Sequence, residues 1–458
     1  MNPTLASFAQ SCGGRLHGPD GAFSGVSTDS RTVRPGELFV ALSGPHFNGE
    51  DYVRAAVARG AAGAVVRNRQ PDVDSQILVE DTLAALASGA HAWREGFSIP
   101  VVGVAGSNGK TTVKELIANI LSQAGACLST LGNLNNQIGV PLTLFRISRE
   151  HRFAVVEMGT NHAGEVAALV RIGRPTVGII TNAGAEHLEG FGSLEGVARA
   201  EGEMVAGLQS DATAIINHDD PFALLWKNMT GARVSTFGLN PGADFTAAAV
   251  RTTIDVTGFV THFTLHAPQG SVPVQLHLAG RHNLINALGA AAAASAAGAS
   301  LPDIVHGLAA MRPVPGRLQF KRAATGAWII DDSYNANPSS VQAGIEVLAQ
   351  LSGRRWLVFA DMGELGGYAT DSHRQVGEWA RAAGIDRLFA TGKLAQLAVD
   401  SFGAGAGWFP DLAALSAALG AELARADLEY PAAEVRMLVK GSHSNHLEHV
   451  VAALVAGA

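Results

Sequence analysis

Residues 103–117 read GVAGSNGKTTVKELI. An apolar run, a glycine-rich turn and an amphipathic stretch opened by Lys110, Thr111 and Thr112 predict a strand that turns sharply into a helix. Such a turn is built for anions. Gly106 and Gly109, with Ser107 and Asn108 between them, let backbone N–H groups face phosphate oxygens, and the helix start adds its partial positive charge. Lys110 is expected to reach the outer phosphates, and the Thr111 hydroxyl suits Mg²⁺, whose preferred ligands are oxygens. The usual spacing G-x-x-x-x-G-K-[ST] is not met, because Val104 stands five places before Gly109. The expected ligand is therefore a nucleotide with Mg²⁺, while the turn alone leaves the reaction open.

Working outward, strand-like runs FAVVEMG, TVGIITNAG and TAIIN alternate with helical patterns, as crossovers in a parallel sheet require. Residues 245–280 differ, alternating like antiparallel hairpins before the helix that opens at RHNLINALGAAAA. MRPVPGR reads as a hinge. Beyond it AWIIDDSY, RRWLVFADM, DRLFATG and VRMLVKGS are again strands separated by helices. Three α/β units follow, at 1–98, 99–312 and 313–458, consistent with a chain of 458 residues.

Composition narrows the function. With 47% hydrophobic and 16% charged residues the chain is globular, and a net charge of -7 supplies no basic field for nucleic acid. Cys12 and Cys127 form no disulfide framework or metal spacing, which suits a reducing compartment. MNPTLASFAQ lacks a basic region followed by an apolar one, so no leader is expected there, and the Ala-rich run near 290 reads as too interrupted to span a bilayer. A cytoplasmic monomer with small-molecule partners is expected.

GSNGKTT, taken with STDSRTVRPGELFVALSGPHFNGEDYV, GNLNNQIGVPLTL, VVEMGTNHAGEV, TNAGAEHLEGFGSLEGVA, GRHNLINALGAAA, PGRLQF, DDSYNANPSS, DMGELG and VKGS in that order, resembles the Mur ligase family, the ATP-dependent amide-forming enzymes of peptidoglycan synthesis. The similarity spans almost the whole chain. It is strongest to the dipeptide-adding members, and the D-N-P-R tetrad of diaminopimelate-adding relatives is absent. The resemblance implies a three-domain α/β ligase: a UDP-substrate domain, a central P-loop parallel-sheet domain and a Rossmann-like C-terminal domain. It implies that ATP phosphorylates the terminal carboxylate of UDP-N-acetylmuramoyl-tripeptide and that D-alanyl-D-alanine attacks the resulting acyl phosphate. Alternatives are another amino-acid-adding Mur-type ligase, a general P-loop NTPase or kinase that needs no amine, and a non-catalytic UDP-sugar-binding relative.

The same resemblance distributes roles. Glu157, at the end of a strand, joins Thr111 as a metal ligand, where the bland alternative is a solvated strand-end charge. His187 is assigned to a second Mg²⁺, although a lone histidine is more often structural. Glu201 stands where relatives carry a carbamylated lysine. It supplies a permanent carboxylate with a reach shorter by roughly 3 to 4 Å, and its alternative is a surface charge on a helix. Asn283 and Asn286, three apart on one helix face, are assigned to adenine, Asn283 chiefly. Arg317 is assigned to ATP phosphate and Asp332 to the nucleotide. Asn335 and Asn337 shape the amine-acceptor pocket, with helix capping as the alternative for Asn337. Lys440 pairs with phosphate or the dipeptide carboxylate, and His443 replaces an expected arginine. Ser27, Asp29, Ser30 and Arg31, which unaided read as a turn, join His46 and Asn48 near uridine diphosphate.

Overall fold

Valine and isoleucine runs bounded by glycines form many of the strands, and in the computed structural model, which describes residues 3–185, 188–255 and 258–456, they build three large sheets flanked by helices, with a three-stranded sheet and a two-stranded hairpin beside them. The N-terminal sheet runs in the order Arg15–His17, Gln76–Leu78, Gly63–Val66, Glu37–Val40, Gly25–Ser27, with only its first pair antiparallel. A separate hairpin joins Ser43–Gly44 to Phe47–Asn48.

The central sheet is wholly parallel, in the order Arg233–Phe237, Thr213–Asn217, Val177–Ile180, Val101–Ala105, Phe153–Glu157, Cys127–Ser129. Val101, Val102 and Val104 are fully buried because helices cover both faces, the condition that lets parallel strands be continuously apolar. After Val101–Ala105 the chain goes out to the edge strand Cys127–Ser129, returns to Phe153–Glu157 beside the first strand, and then crosses to build outward on the other side. A crevice opens at that switch point, beyond the carboxyl ends of the strands. The expected antiparallel segment is a three-stranded sheet, Thr246–Asp255, Gly258–Ala267 and Gly270–Leu276.

The Ala-rich helix Arg281–Ala296 is buried along most of its length, packed on the central sheet beside the helix Lys110–Ala124. Small side chains let these helices approach closely. A third helix, Leu301–Ala310, also packs tightly on Lys110–Ala124: an added Cβ at Gly307 would lie 2.3 Å from the Ile120 Cα. No helix among the described residues is long and apolar enough to cross a membrane. Cys12 and Cys127 are free, and burial pushes the Cys127 thiol up to about 12.

One apolar cluster continues from the N-terminal sheet into the central one, with Phe8 stacked on Phe145 and the buried Arg94 donating to the carbonyls of Gly173 and Phe97. The C-terminal sheet has the order Gln319–Arg322, Trp328–Asp332, Val435–Lys440, Arg354–Ala360, Arg387–Thr391, Ala406–Phe409, parallel except at its first pair. Its core lies largely in two clusters of its own. The Pro-rich segment between Ala310 and Gln319 carries no helix or strand.

Candidate active site

A cleft of about 760 Å³ lies between the central and C-terminal sheets, within the usual range for ligand sites. Its floor is the glycine turn, and the turn works differently from the expectation. Gly106 and Gly109 have φ of +123° and +84°, and a Cβ would fall 2.1 Å from Thr181 Oγ1 or 2.6 Å from Asn286 Oδ1. The glycines are thus required by neighbouring protein as well as by backbone conformation. Three turn amides are already committed: Gly106 N–H donates to Glu201 Oε2 (2.7 Å), Ser107 N–H to the Asn182 carbonyl (2.9 Å) and Asn108 N–H to Asn182 Oδ1 (3.1 Å). An anion therefore meets the first-turn amides of Lys110–Ala124, those of Thr111 and Thr112 among them, which have no acceptor within the helix. Lys110 Nζ lies along the turn, donating to the carbonyls of Gly106 (2.6 Å) and Ser107 (3.0 Å).

Beside this helix start, Glu157 is buried at the end of its strand. Its Oε1 accepts from Asn135 Nδ2 (2.9 Å) and its N–H donates to Thr130 Oγ1 (3.0 Å), whereas buried Oε2 has no hydrogen-bond partner. An orphaned carboxylate oxygen in a low-dielectric setting is costly, and a divalent cation would satisfy it. The donor set fits Mg²⁺, and the solvated strand-end alternative does not hold for a side chain this buried. Thr111 Oγ1 accepts from Arg317 Nη2 at 3.1 Å, so that the hinge arginine reaches the phosphate helix. Glu201 is buried too, which removes the surface-charge alternative, but it lies beneath the turn and does not line the cleft. His187 falls outside the described residues.

The opposite wall comes from the C-terminal sheet. Arg317 stacks over the Tyr334 ring (4.4 Å), whose plane His443 also parallels at 5.5 Å. Asp332 Oδ2 pairs with Lys440 Nζ at 2.5 Å, its Oδ1 accepts from Leu318 N–H, and Lys440 also donates to the Asn335 carbonyl. Asn283 Nδ2 donates to the Ala279 carbonyl and its Oδ1 accepts from Asn286 Nδ2, so both amides assigned to adenine are tied within their own helix start. Burial pushes the His282 imidazole down to about 4, with Asp332 opposing and Lys440 adding to the shift, and the ring faces the cleft uncharged at neutral pH.

The chain matches the family description "Mur ligase middle domain" over residues 104–294, "Mur ligase, glutamate ligase domain" over 316–442 and "Mur ligase family, catalytic domain" over 22–93. It is 45% identical to the UDP-N-acetylmuramoyl-tripeptide–D-alanyl-D-alanine ligase of Escherichia coli (strain K12), covering 99% of this chain and 98% of that one. The chain belongs to the Mur ligase family. Among solved structures of Mur ligases it is similar to MurF from Acinetobacter baumannii, with a TM-score of 0.92, 33% identity and coverage of 100% and 99%. It is also similar to the MurF ligase of Thermotoga maritima in complex with ADP, at 0.82 and 25%, covering 94% and 97%.

The N-terminal residues singled out for this Mur ligase do not line the cleft. Asp29 is ion-paired with Arg31, which holds its carboxyl down at about 2, and Ser27 Oγ donates to the Asp29 carbonyl, so STDSR forms a turn as its composition suggests. His46 is exposed at the hairpin tip, and Asn48 Oδ1 accepts from Ser43 Oγ and Glu50 N–H. Sequence reading missed Asn135, Thr130, Asn182, His282 and Ser339. All but Thr130 sit inside motifs already singled out, GNLNNQIG, TNAGAEHLEG, RHNLINALG and DDSYNANPSS, but nothing in local pattern separates the asparagine that supports Glu157 from its neighbours.

Proposed function

We infer that this chain is an ATP-dependent ligase that joins D-alanyl-D-alanine to UDP-N-acetylmuramoyl-tripeptide in peptidoglycan precursor synthesis. The full-length 45% identity to a ligase of that name carries the reading. The cleft agrees with it, because a phosphate-binding helix start, an orphaned carboxylate oxygen and cationic side chains of a second sheet converge there.

In this mechanism ATP lies with its phosphates on the first-turn amides, those of Thr111 and Thr112 among them, with Lys110 swinging from the turn carbonyls to the outer phosphates and Arg317 beside them. Thr111 and Glu157 would hold Mg²⁺, and His187 and Glu201 are assigned to a second ion; a divalent cation there would supply charge to offset that of the phosphates. The tripeptide carboxylate oxygen bonds to the γ-phosphorus as the bond to the β-phosphate oxygen breaks. The amine of the dipeptide then attacks the acyl carbon, loses a proton, and phosphate leaves with the carboxylate-derived oxygen. Enclosure between two sheets excludes water from an acyl phosphate that would otherwise hydrolyse. Asn283, Asn286 and Asp332 serve the nucleoside, Asn335 and Lys440 the amine substrate, and the 27–31 and 46–48 segments the UDP moiety. We place the domain limits at 1–98, 99–312 and 313–458.

The test is ADP and phosphate release with UDP-muramoyl tripeptides ending in diaminopimelate or lysine, with and without dipeptide. Amine-dependent release is expected, with ¹⁸O from the tripeptide carboxylate appearing in phosphate. Release that ignores the amine would instead indicate an NTPase, and binding without release a non-catalytic relative.

A further inference from the structure

One side chain of the phosphate turn crosses the cleft. The Asn108 backbone is pinned from its own sheet: its N–H donates to Asn182 Oδ1, and its carbonyl accepts from Thr181 Oγ1 (2.7 Å) and Asn182 Nδ2 (2.9 Å). The carboxamide is thereby aimed out of the turn. Its Oδ1 accepts from Asn337 Nδ2 at 2.7 Å and its Nδ2 donates to Ser339 Oγ at 3.1 Å. Both partners open the helix Pro338–Ala349, where Asn337 is the N-cap: its Oδ1 accepts from Ser340 N–H (2.9 Å) and from Ser339 Oγ (3.1 Å). Two residues earlier, the Asn335 carbonyl accepts from Lys440 Nζ.

Each carboxamide therefore faces protein through both its oxygen and its nitrogen, and the start of the C-terminal helix is fastened to the turn that receives phosphate. We propose that Asn108, Asn337 and Ser339 form an interdomain clasp that couples an ordered phosphate turn to assembly of the amine-acceptor side of the cleft. Asn337, expected from sequence to shape the amine-acceptor pocket or to cap a helix, caps the helix Pro338–Ala349 while lining the cleft and is then a positioning residue. This proposal rests on the ligase reading for its kinetic consequence, but its geometry does not depend on it. The physical advantage is timing. With its backbone held by Thr181 and Asn182, Asn108 is in place to draw in the helix start, and with it the Asn335–Lys440 contact, before a water-sensitive acyl phosphate forms.

Ser339→Ala removes one arm while Asn337 still caps the helix. Losing one such bond corresponds to about a three- to tenfold effect. Expected are a fall of that size in kcat/KM for D-alanyl-D-alanine, ADP affinity within twofold of the parent, and an unchanged urea midpoint. Asn108→Ala should fall further, and adding Ser339→Ala to it should cost nothing more, because both cut the same link. Multiplying effects, or a Ser339→Ala enzyme within twofold of the parent, overturn the clasp. Small-angle scattering with ADP separates this from failure of the ligase reading: Asn108→Ala should raise the radius of gyration whatever the substrates are, and an unchanged radius refutes the proposal.

Discussion

Glu201 offers the sharpest test of how the phosphate turn is held. Its Oε2 takes the Gly106 N–H at 2.7 Å in a buried setting, at a residue whose φ of +123° only glycine adopts readily. Glu201→Ala leaves that amide buried without this acceptor, a penalty of about 1–3 kcal/mol. If the turn must keep this conformation to bind ATP, the loss appears as about a 5- to 150-fold fall in kcat/KM for ATP. Glu201→Gln retains an oxygen in nearly the same place and exchanges a charge-assisted bond for a neutral one, a difference of about 1 kcal/mol or roughly fivefold. A brace alone therefore predicts Gln well above Ala. A carboxylate that also serves a cation predicts Gln as poor as Ala. Both variants are measured by ADP release at saturating Mg²⁺, alongside nucleotide affinity. Glu201→Ala within threefold of the parent would refute the bracing argument and the metal role together.

Glu157→Gln removes the charge whose Oε2 lacks a partner, and should lower kcat/KM by at least about 100-fold while weakening Mn²⁺ binding in the ADP complex. Unchanged Mn²⁺ affinity by electron paramagnetic resonance would reject the assignment. Gly307→Ala sets a Cβ 2.3 Å from the Ile120 Cα, an overpacking cost of about 1–3 kcal/mol; an unaltered urea midpoint would contradict this helix contact. His282, held down to about 4 by burial, binds its proton in the unfolded chain from about pH 6.5 downward but in the folded chain only near 4. The unfolded state thus holds more protons in that window, so its contribution to stability is present above pH 6.5 and is lost as the pH falls to about 4. Urea midpoints at pH 7 and 5 should differ less in His282→Gln than in the parent, and equal differences would count against the burial of this ring.

Much of the ligase was legible without coordinates. The strand, turn and helix of 101–124, the parallel runs on either side and the antiparallel interruption at 246–276 are local patterns of period and punctuation. They emerge in the structure much as their residues imply. Glu157 was legible for the same reason, since a carboxylate closing an apolar strand must arrive at the sheet edge where ligands bind.

What the linear order settled by itself was the kind of chemistry: a phosphate-binding helix start ahead of a strand-end carboxylate, because both depend on neighbours within a few residues. Which groups touch which was decided only by folding. Glu201 meets Gly106 across 95 residues, and Asn108 meets Asn337 across 229. Those separations carry no local signal: the first contact exists because the helix Leu194–Ala206 packs on the central sheet beneath the turn, and the second because the C-terminal helix Pro338–Ala349 meets that turn across the cleft. The same packing spends the turn's own amides on protein acceptors and leaves the anion to the helix start, since buried N–H groups take whichever acceptors the fold brings near.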